Sequence, residues 1–431
     1  MKRVTYNVLW RLAMPLVLGR LWWRGLREKG YRKFWNERRG HYGDRGAGWH
    51  TLWIHAVSVG ETRAAEPLVD ALMALYPHSR ILMTHMTPTG RAAGQELYGR
   101  HGERFVQSYL PYDMVNKLTR FMRHFTPRIC ILMETEVWPN LITVCKARGI
   151  TVALVNARLS ERSLRRAMRL GPLMTEAAQK LSLVAAQTEL DAARVRSLGA
   201  EHVAVTGSIK FDVAVPKAAL AKGVFLRQLI DGAAAAGRPV LLCASTREGE
   251  EALILDAFKA MPDRPPRMLL AIVPRHPQRF DEVERLAQTR GLKVGRRSAL
   301  GVDGADLPAD VDVLLGDSMG EMVAYYAACD CAFIGGSLLP LGGQNLIEAC
   351  AVGKPVLIGQ HTFNFAAASD DAVAAGAASR VTDAADMLAQ ARRLLVDAEA
   401  RRTMGEAAFR FAEQHRGATA RTVELLQGLI Y

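Results

Sequence analysis

LWIHAVSVGE, residues 52–61, is a short apolar run that breaks into Ser58, passes through Gly60 and ends on a carboxylate. The apolar part predicts a buried strand. Gly60 permits a tight turn, and Glu61 then opens a helix whose inner face is spelled by Ala64, Ala65, Leu68, Leu72 and Leu75 at steps of three and four. The same strand-turn-helix pattern recurs down the chain. Strands are expected at Leu52–Ala56, Ile81–His85, Ile129–Met133, Val152–Val155 and Leu183–Ala186, and again at Val240–Ala244, Met268–Val273, Val311–Leu315, Cys331–Ile334 and Pro355–Ile358. Near-continuous apolar strands alternating with helices predict α/β architecture, with parallel sheets covered on both faces. The extended-looking 212–216 and the small-residue stretch 232–237 separate the two series. The expectation is therefore two Rossmann-like domains facing across a cleft, at 49–215 and 237–431, with the final helical segment packing back on the first. Ligands of such sheets bind beyond the carboxyl ends of the strands.

The 431 residues suit two cores rather than one. With 49% hydrophobic and 23% charged residues and no low-complexity tract, the chain reads as globular throughout. Its net charge of +13 is unevenly placed: residues 1–46 hold twelve of the Lys and Arg against three acids. Trp10, Trp22, Trp23, Tyr31 and Trp35 are interleaved with that charge, which favours an anionic membrane surface over a nucleic-acid partner. Arg11, Pro15 and Arg20 interrupt the apolar run, so residues 1–48 are read as a shallowly inserted anchor and basic juxtamembrane segment rather than a span, the alternative being an ordinary basic amphipathic helix packed on the protein. No small-residue cleavage site follows it, against a secretory signal. Six cysteines, none in a C-x-x-C pair, read as buried free thiols.

The polar residues after each strand are the candidates for chemistry. Ser58, Gly60 and Glu61 follow the first strand; Glu61 is either a first-turn charge complement or a general base. TPTGR (87–91) is either a helix cap at Thr87 or Thr89 or, with Arg91, an anion-binding turn. Glu134, Glu136 and Trp138 suit a hydroxyl-rich sugar. Arg158 follows the next strand, and Lys210 lies at the expected hinge. In the second domain come Ser245-Thr-Arg247, then Arg275 and His276, then Gly316-Asp-Ser318-Met319-Gly320-Glu321, and then Gly342-Gly-Gln-Asn345 with Glu348. Glycine loops running repeatedly into helix starts favour a nucleotide, although Asn345 and Glu348 also have the spacing of a helix cap. No H-E-x-x-H, no Asp-x-Asp sugar-nucleotide motif, no Cys/His cluster, no Walker lysine and no G-x-S-x-G elbow is read in the chain, so no metal and no cofactor is expected. Arg275, Lys210 and helix N-termini are left to meet a departing phosphate.

Read together, HAVSVGE (55–61), TPTGR (87–91), ETEVWPN (134–140), NARLSERS (156–163), GSIKFD (207–212), PRHPQRF (274–280) and GGQNLIEA (342–349) resemble the Kdo (3-deoxy-D-manno-octulosonic acid) transferases of lipopolysaccharide biosynthesis. The likeness runs from about residue 50 to residue 365, and the basic aromatic segment resembles that family's inner-membrane anchor. It implies a GT-B fold and inverting, metal-independent transfer from CMP-Kdo to the 6′-hydroxyl of a tetraacylated lipid A precursor, on the cytoplasmic face. It implies Glu61 as base, Glu134 (or Glu136) as a second essential carboxylate, and Arg275, His276, Gly316, Ser318, Met319, Gly320, Asn345, Glu348 and Lys210 about CMP-Kdo. Ser58, Gly60, Arg91, Glu136 and Arg158 are implied contacts to Kdo or the acceptor. The competing expectations are another GT-B sugar-nucleotide enzyme, such as a UDP-sugar transferase or 2-epimerase, and a non-catalytic lipid-binding scaffold. No oligomeric state is assigned.

Overall fold

The computed structural model describes residues 1–43, 48–212, 215–232, 237–301 and 306–430, with Arg27 described by its backbone only. It divides into two compact units, Met1–Val213 with His415–Tyr431, and Ala214–Gln414.

The first unit holds a seven-stranded parallel sheet of β1 (His50–His55), β2 (Ser79–His85), β3 (Phe105–Tyr109), β4 (Pro127–Met133), β5 (Thr151–Ala157), β6 (Leu183–Ala186) and β7 (Val203–Val205), in the order β3-β2-β1-β4-β5-β6-β7. Side chains alternate across it. Trp53, Leu82, Cys130, Leu132 and Leu154 enter one core. Their neighbours Leu52, Ile54, Ile81, Ile131 and Val155 enter the other. Register makes the layers continuous, since Leu52 lies beside both Ile81 and Ile129, and Trp53 beside Leu82 and Cys130. Burial on both faces is why the strands carry no polar alternation; each buried Leu or Ile stabilises by about 1.5–3 kcal/mol. The indole N–H of wholly buried Trp53 donates to Thr84 Oγ1 at 2.8 Å, so the ring is buried without stranding its donor.

The second unit repeats the plan with β8 (Val240–Thr246), β9 (Leu269–Pro274), β10 (Val294–Arg296), β11 (Val313–Leu315), β12 (Cys331–Ile334), β13 (Val356–Ile358) and β14 (Ala378–Arg380), ordered β10-β11-β9-β8-β12-β13-β14. Cys243, Ile272, Leu315, Phe333 and Leu357 line one core with Phe258. All six cysteines are free and buried.

All ten expected strands are present, and four more flank them: β3, β7, β10 and β14. Residues Lys217–Asp231, unassigned between the two expected domains, form a helix of the second unit. Val213 and Ala214 of the expected linker, 233–236 of the small-residue stretch, and Asp44 and Arg45 of the basic segment lie outside the described residues. The last helix, Ala418–Gln427, belongs to the first unit. Its Ala418 and Leu426 join that unit's core, and Asp212 accepts from the backbone N–H groups of Gly417 and Thr419, both at 2.5 Å.

The N-terminal helix, Arg3–Arg27, contains Pro15, which forgoes one helix hydrogen bond. One face is docked on the first unit. Tyr6 donates to Asp113 at 2.8 Å, Asn140 donates to Asn7 at 2.7 Å, and Trp10 lies 6.0 Å from Tyr112. Val4, Leu12 and Leu16 stand outward, 75%, 71% and 78% exposed, with Val8 completing the four-residue steps and Trp22, Trp23 and Leu26 beyond. Among the described residues no helix is long and apolar enough to cross a membrane.

Asp113 also accepts from the backbone N–H groups of Asn140 (3.1 Å) and Leu141 (2.8 Å), capping the helix Pro139–Lys146, and burial lifts its carboxyl to about 6. Asp113→Ala removes three bonds to buried or half-buried donors, a loss of about 2–4 kcal/mol. We expect trypsin to release peptides from residues 1–40 several-fold faster in this variant; an unchanged digestion rate would show that Asp113 does not hold the helix.

Candidate active site

In the first sheet the connections run outward in one direction from β1 through β2 to β3, and in the other from β4. The residues after β1 and β4 therefore flank the switch point, where such sheets leave a crevice. Ser58 caps the helix Val59–Ala64. Glu61, in its first turn, reaches back to accept from the N–H of Val57 at 2.7 Å and the hydroxyl of Ser58 at 3.1 Å, the reciprocal pattern of a capping box. Burial pushes its carboxyl up to about 7. The Glu136 and Glu134 charges push in the same direction, against the opposing Val57 and Ser58 bonds. Glu61 thus caps its helix with a carboxyl that burial raises towards neutrality.

Glu134 follows β4 with φ +56°, and Asn156 at the end of β5 has φ +52°. Two non-glycine residues in the left-handed region on adjacent strands mark strain of the kind that gathers at functional sites. Glu134 Oε1 meets Lys210 Nζ at 2.8 Å and the Asn156 amide at 3.5 Å, while Asn156 Oδ1 accepts from the Ile209 N–H at 3.2 Å. These bonds bring Lys210 to Glu134 within the first unit. Glu136 accepts from the Trp138 indole at 2.7 Å, and its carboxyl is raised by burial and by Glu134. Arg158 leaves the end of β5, its N–H donating to the Glu134 carbonyl at 3.3 Å.

Arg91 departs from expectation. Its guanidinium holds both oxygens of Glu37, at 2.5 and 3.2 Å, and stacks 3.9 Å from the centre of the Phe34 ring. The turn before it is a helix cap, with Thr87 accepting from the Gly90 N–H at 3.1 Å. Arg91 therefore clasps the segment that follows the N-terminal helix.

In the second unit the switch lies between β8 and β12. Gly335 follows β12 so closely against β8 that a Cβ on it would sit 2.6 Å from Thr246 Cα. Glu250, wholly buried, accepts from the N–H groups of Arg247 (3.0 Å), Gly336 (2.6 Å) and Leu338 (3.0 Å). It is the organiser of the glycine loop. Arg275 is exposed just after β9, its N–H bound to the Thr246 carbonyl at 2.9 Å. His276 is depressed first by burial and then by Arg247, Arg275 and Arg279, so three guanidinium charges act on the carboxyl ends of β8 and β9. Arg279 is held at 3.2 Å by both Glu251 and Glu282, which leaves Arg247 and Arg275 nearer the surface.

The loop after β11 is built around Gly316, where a Cβ would lie 2.9 Å from the Tyr325 hydroxyl. Ser318 joins Glu321 and Tyr325, each at 2.7 Å; Met319 stands 62% exposed, and Gly320 turns with φ +76°. Asn345 does not open a long helix. Its side-chain oxygen accepts from the Ile347 N–H at 3.0 Å and its amide donates to Glu348 at 3.1 Å, capping the five-residue helix Ile347–Ala351. The Gly343 N–H is spent on the Gly336 carbonyl at 2.7 Å. The expected cradle is thus a loop folded on itself, presenting Asn345 and Glu348, with little helix dipole behind it.

Among the described residues no three His, Cys, Asp or Glu side chains cluster as metal ligands. Contrary to the expectation of no Asp-x-Asp motif, Asp310-Val-Asp312 has that spacing. It precedes β11, at the end of the sheet opposite the loops above, and Lys293 and Arg264 take up its carboxylates.

Two parallel α/β units, each with its polar residues gathered beyond the strand carboxyl ends, have the architecture of the GT-B fold. Residues 33–213 match the family model for 3-deoxy-D-manno-octulosonic-acid transferase, and residues 247–411 that for glycosyl transferases group 1. The chain is 47% identical to the 3-deoxy-D-manno-octulosonic acid transferase of Bordetella pertussis, over 99% of both chains. It is 36% identical to that of Haemophilus influenzae, over 99% of this chain and 98% of the relative. The UDP-GlcNAc 2-epimerase of Neisseria meningitidis shares the fold at a TM-score of 0.59 and 16% identity, covering 88% of this chain and 100% of that one. The chain belongs to the 3-deoxy-D-manno-octulosonic acid transferase family, which sets aside the epimerase and scaffold alternatives.

Proposed function

We propose that the chain transfers Kdo from CMP-Kdo to the 6′-hydroxyl of a tetraacylated lipid A precursor, with inversion and without a metal, at the cytoplasmic face of the inner membrane. The observation that carries this reading is Glu61: a carboxyl raised to about 7 by burial and by two neighbouring carboxylates at a sheet switch point. A base poised near the working pH is what removal of a hydroxyl proton requires. Glu61 takes the acceptor proton as its oxygen bonds to C2 of Kdo. The C2–O bond to phosphate breaks, and CMP departs with the electron pair. A single displacement from the opposite face inverts that carbon. Arg275 with Arg247 meets the charge growing on the phosphate, with His276, the Gly316, Ser318, Met319 and Gly320 loop, Asn345 and Glu348 about the nucleotide. Lys210 and Glu134 are assigned to the sugar's carboxylate and hydroxyls, with Ser58, Gly60, Glu136 and Arg158 beside them.

Incubation with CMP-Kdo and the precursor is expected to add Kdo to the lipid by mass, with activity surviving EDTA. No product with CMP-Kdo, alongside turnover of a UDP-sugar, would overturn the donor assignment. Activity lost to EDTA and restored by a divalent cation would overturn metal independence.

Membrane association rests on the outward row of the N-terminal helix. Leu12→Glu with Leu16→Glu, both on the undocked face, is expected to weaken binding to vesicles by more than about tenfold with no change in the thermal unfolding curve. Equal vesicle binding by this variant would leave the row without that role.

A further inference from the structure

The helix Glu161–Leu170 carries arginines at 162, 165, 166 and 169. At 100° per residue these four fall within an arc of roughly 100°, opposite the buried Leu164 and Ala167. All four are exposed, and none has a side-chain partner among the described residues. By contrast Arg91, Arg227, Arg238 and Arg279 are each bonded to acids or carbonyls. Met168, 60% exposed, and Leu170, 37% exposed, flank the arginine face on either side. The one acid of the helix, Glu161, lies at its far end, 3.6 Å from Arg194. The last turn adjoins the start of the N-terminal helix: the Met1 amino group donates to the Leu170 carbonyl at 2.7 Å, and Arg3 pairs with Glu176 at 3.2 Å.

We infer that Glu161–Leu170 is a second membrane-docking element, its four arginines seated on anionic lipid headgroups and Met168 and Leu170 dipping beside them. The inference rests on the membrane reading given above and adds to it a separate, charge-selective contact. Four unpaired guanidinium groups on one face repel one another in solution, and an anionic surface relieves that repulsion. A second point of attachment fixes rotation of the first unit about the N-terminal helix, which a single apolar row does not. It also makes binding depend on lipid charge and on salt.

The full chain is tested on vesicles of phosphatidylcholine alone and of phosphatidylcholine mixed with phosphatidylglycerol. Each basic residue at such a surface contributes about fivefold. Replacing Arg162, Arg165, Arg166 and Arg169 by Gln is therefore expected to weaken binding to the anionic vesicles by at least about tenfold and leave binding to neutral vesicles unchanged. Replacing all four by Lys is expected to restore binding, which separates charge from folding. Because the six cysteines are buried, Met168→Cys can be labelled selectively with a polarity-sensitive dye. Its emission is expected to shift to the blue only with anionic vesicles. Wild-type affinity of the Gln variant for anionic vesicles overturns the inference. If that occurs while the Leu12→Glu, Leu16→Glu variant still loses binding, the membrane reading stands and only this element fails. If the wild type binds neither vesicle, both fail. Loss of binding to a mixed-sequence RNA, with vesicle binding intact, would reassign the face to nucleic acid and likewise overturn it.

Discussion

Glu61→Gln is expected to lower kcat by about 10²- to 10⁴-fold with little change in KM, the range for loss of a general base. Gln keeps an oxygen for the Val57 N–H, so the helix cap survives and the loss is one of proton transfer. The same substitution is expected to make the folded protein more stable above neutrality. Glu61 is raised to about 7, chiefly by burial, against about 4.3 for an unfolded glutamate. Between those values the native state holds a proton that the unfolded chain has lost, so wild-type stability falls as pH rises through that window. A neutral amide escapes this, and by pH 8 its advantage is at most about 3–4 kcal/mol. Wild-type activity is expected to rise with pH towards a plateau above about 7, and the wild-type unfolding midpoint to fall over the same interval. Near-normal turnover by a folded Gln variant would remove Glu61 from the role of base; identical pH dependence of the two unfolding curves would show that its ionisation is not disfavoured by the fold.

Glu250→Ala is expected to cost about 3–5 kcal/mol and to raise KM for the donor more than tenfold. Three backbone N–H groups converge on this one carboxylate, within a unit where Gly335 and Thr246 are already in backbone contact. With the acceptor oxygens gone, the amides of Arg247, Gly336 and Leu338 face a gap. Glu250→Gln rescues little, because its NH₂ would confront an N–H donor. Hydrogen exchange at Gly336 and Leu338 should accelerate in the Ala variant, while amides of β1, β4 and β5 in the first unit keep wild-type rates. Unchanged exchange at Gly336 would show that Glu250 does not order the loop.

The strands legible in the sequence and those that were not divide by position in the sheets. The ten expected strands are the interior ones. The four missed, β3, β7, β10 and β14, are the four edges. An edge strand is short and half-exposed, as Val-Gly-Arg at 294–296 and Ala-Ser-Arg at 378–380 show, so it lacks the apolar run that announces a central strand. Missing β3 hid the loop after it, and with it Asp113. The helix-start role of Glu61 is legible because its partners lie within four residues. Arg91 was misjudged because Glu37, 54 residues earlier, neutralises it, and no local pattern records that meeting. Glu250 is absent from the sequence candidates for the same reason, since two of its three donors lie 86 and 88 residues on. The aromatic N-terminal segment was read as one anchor; the structure sorts it, turning Trp10 and Tyr31 inward and Trp22 and Trp23 outward.

The return of the Ala418–Gln427 helix to the first unit has a consequence for synthesis. That helix seals part of the first core with Ala418 and Leu426, yet the ribosome makes it after the whole second unit. The second unit, contiguous in the chain, can close as soon as it emerges. The first must wait, with an apolar strip of its sheet uncovered, for the final residues to arrive. A chain truncated after Gln414 would therefore carry every residue of the second unit and a first unit still open where Ala418 and Leu426 belong.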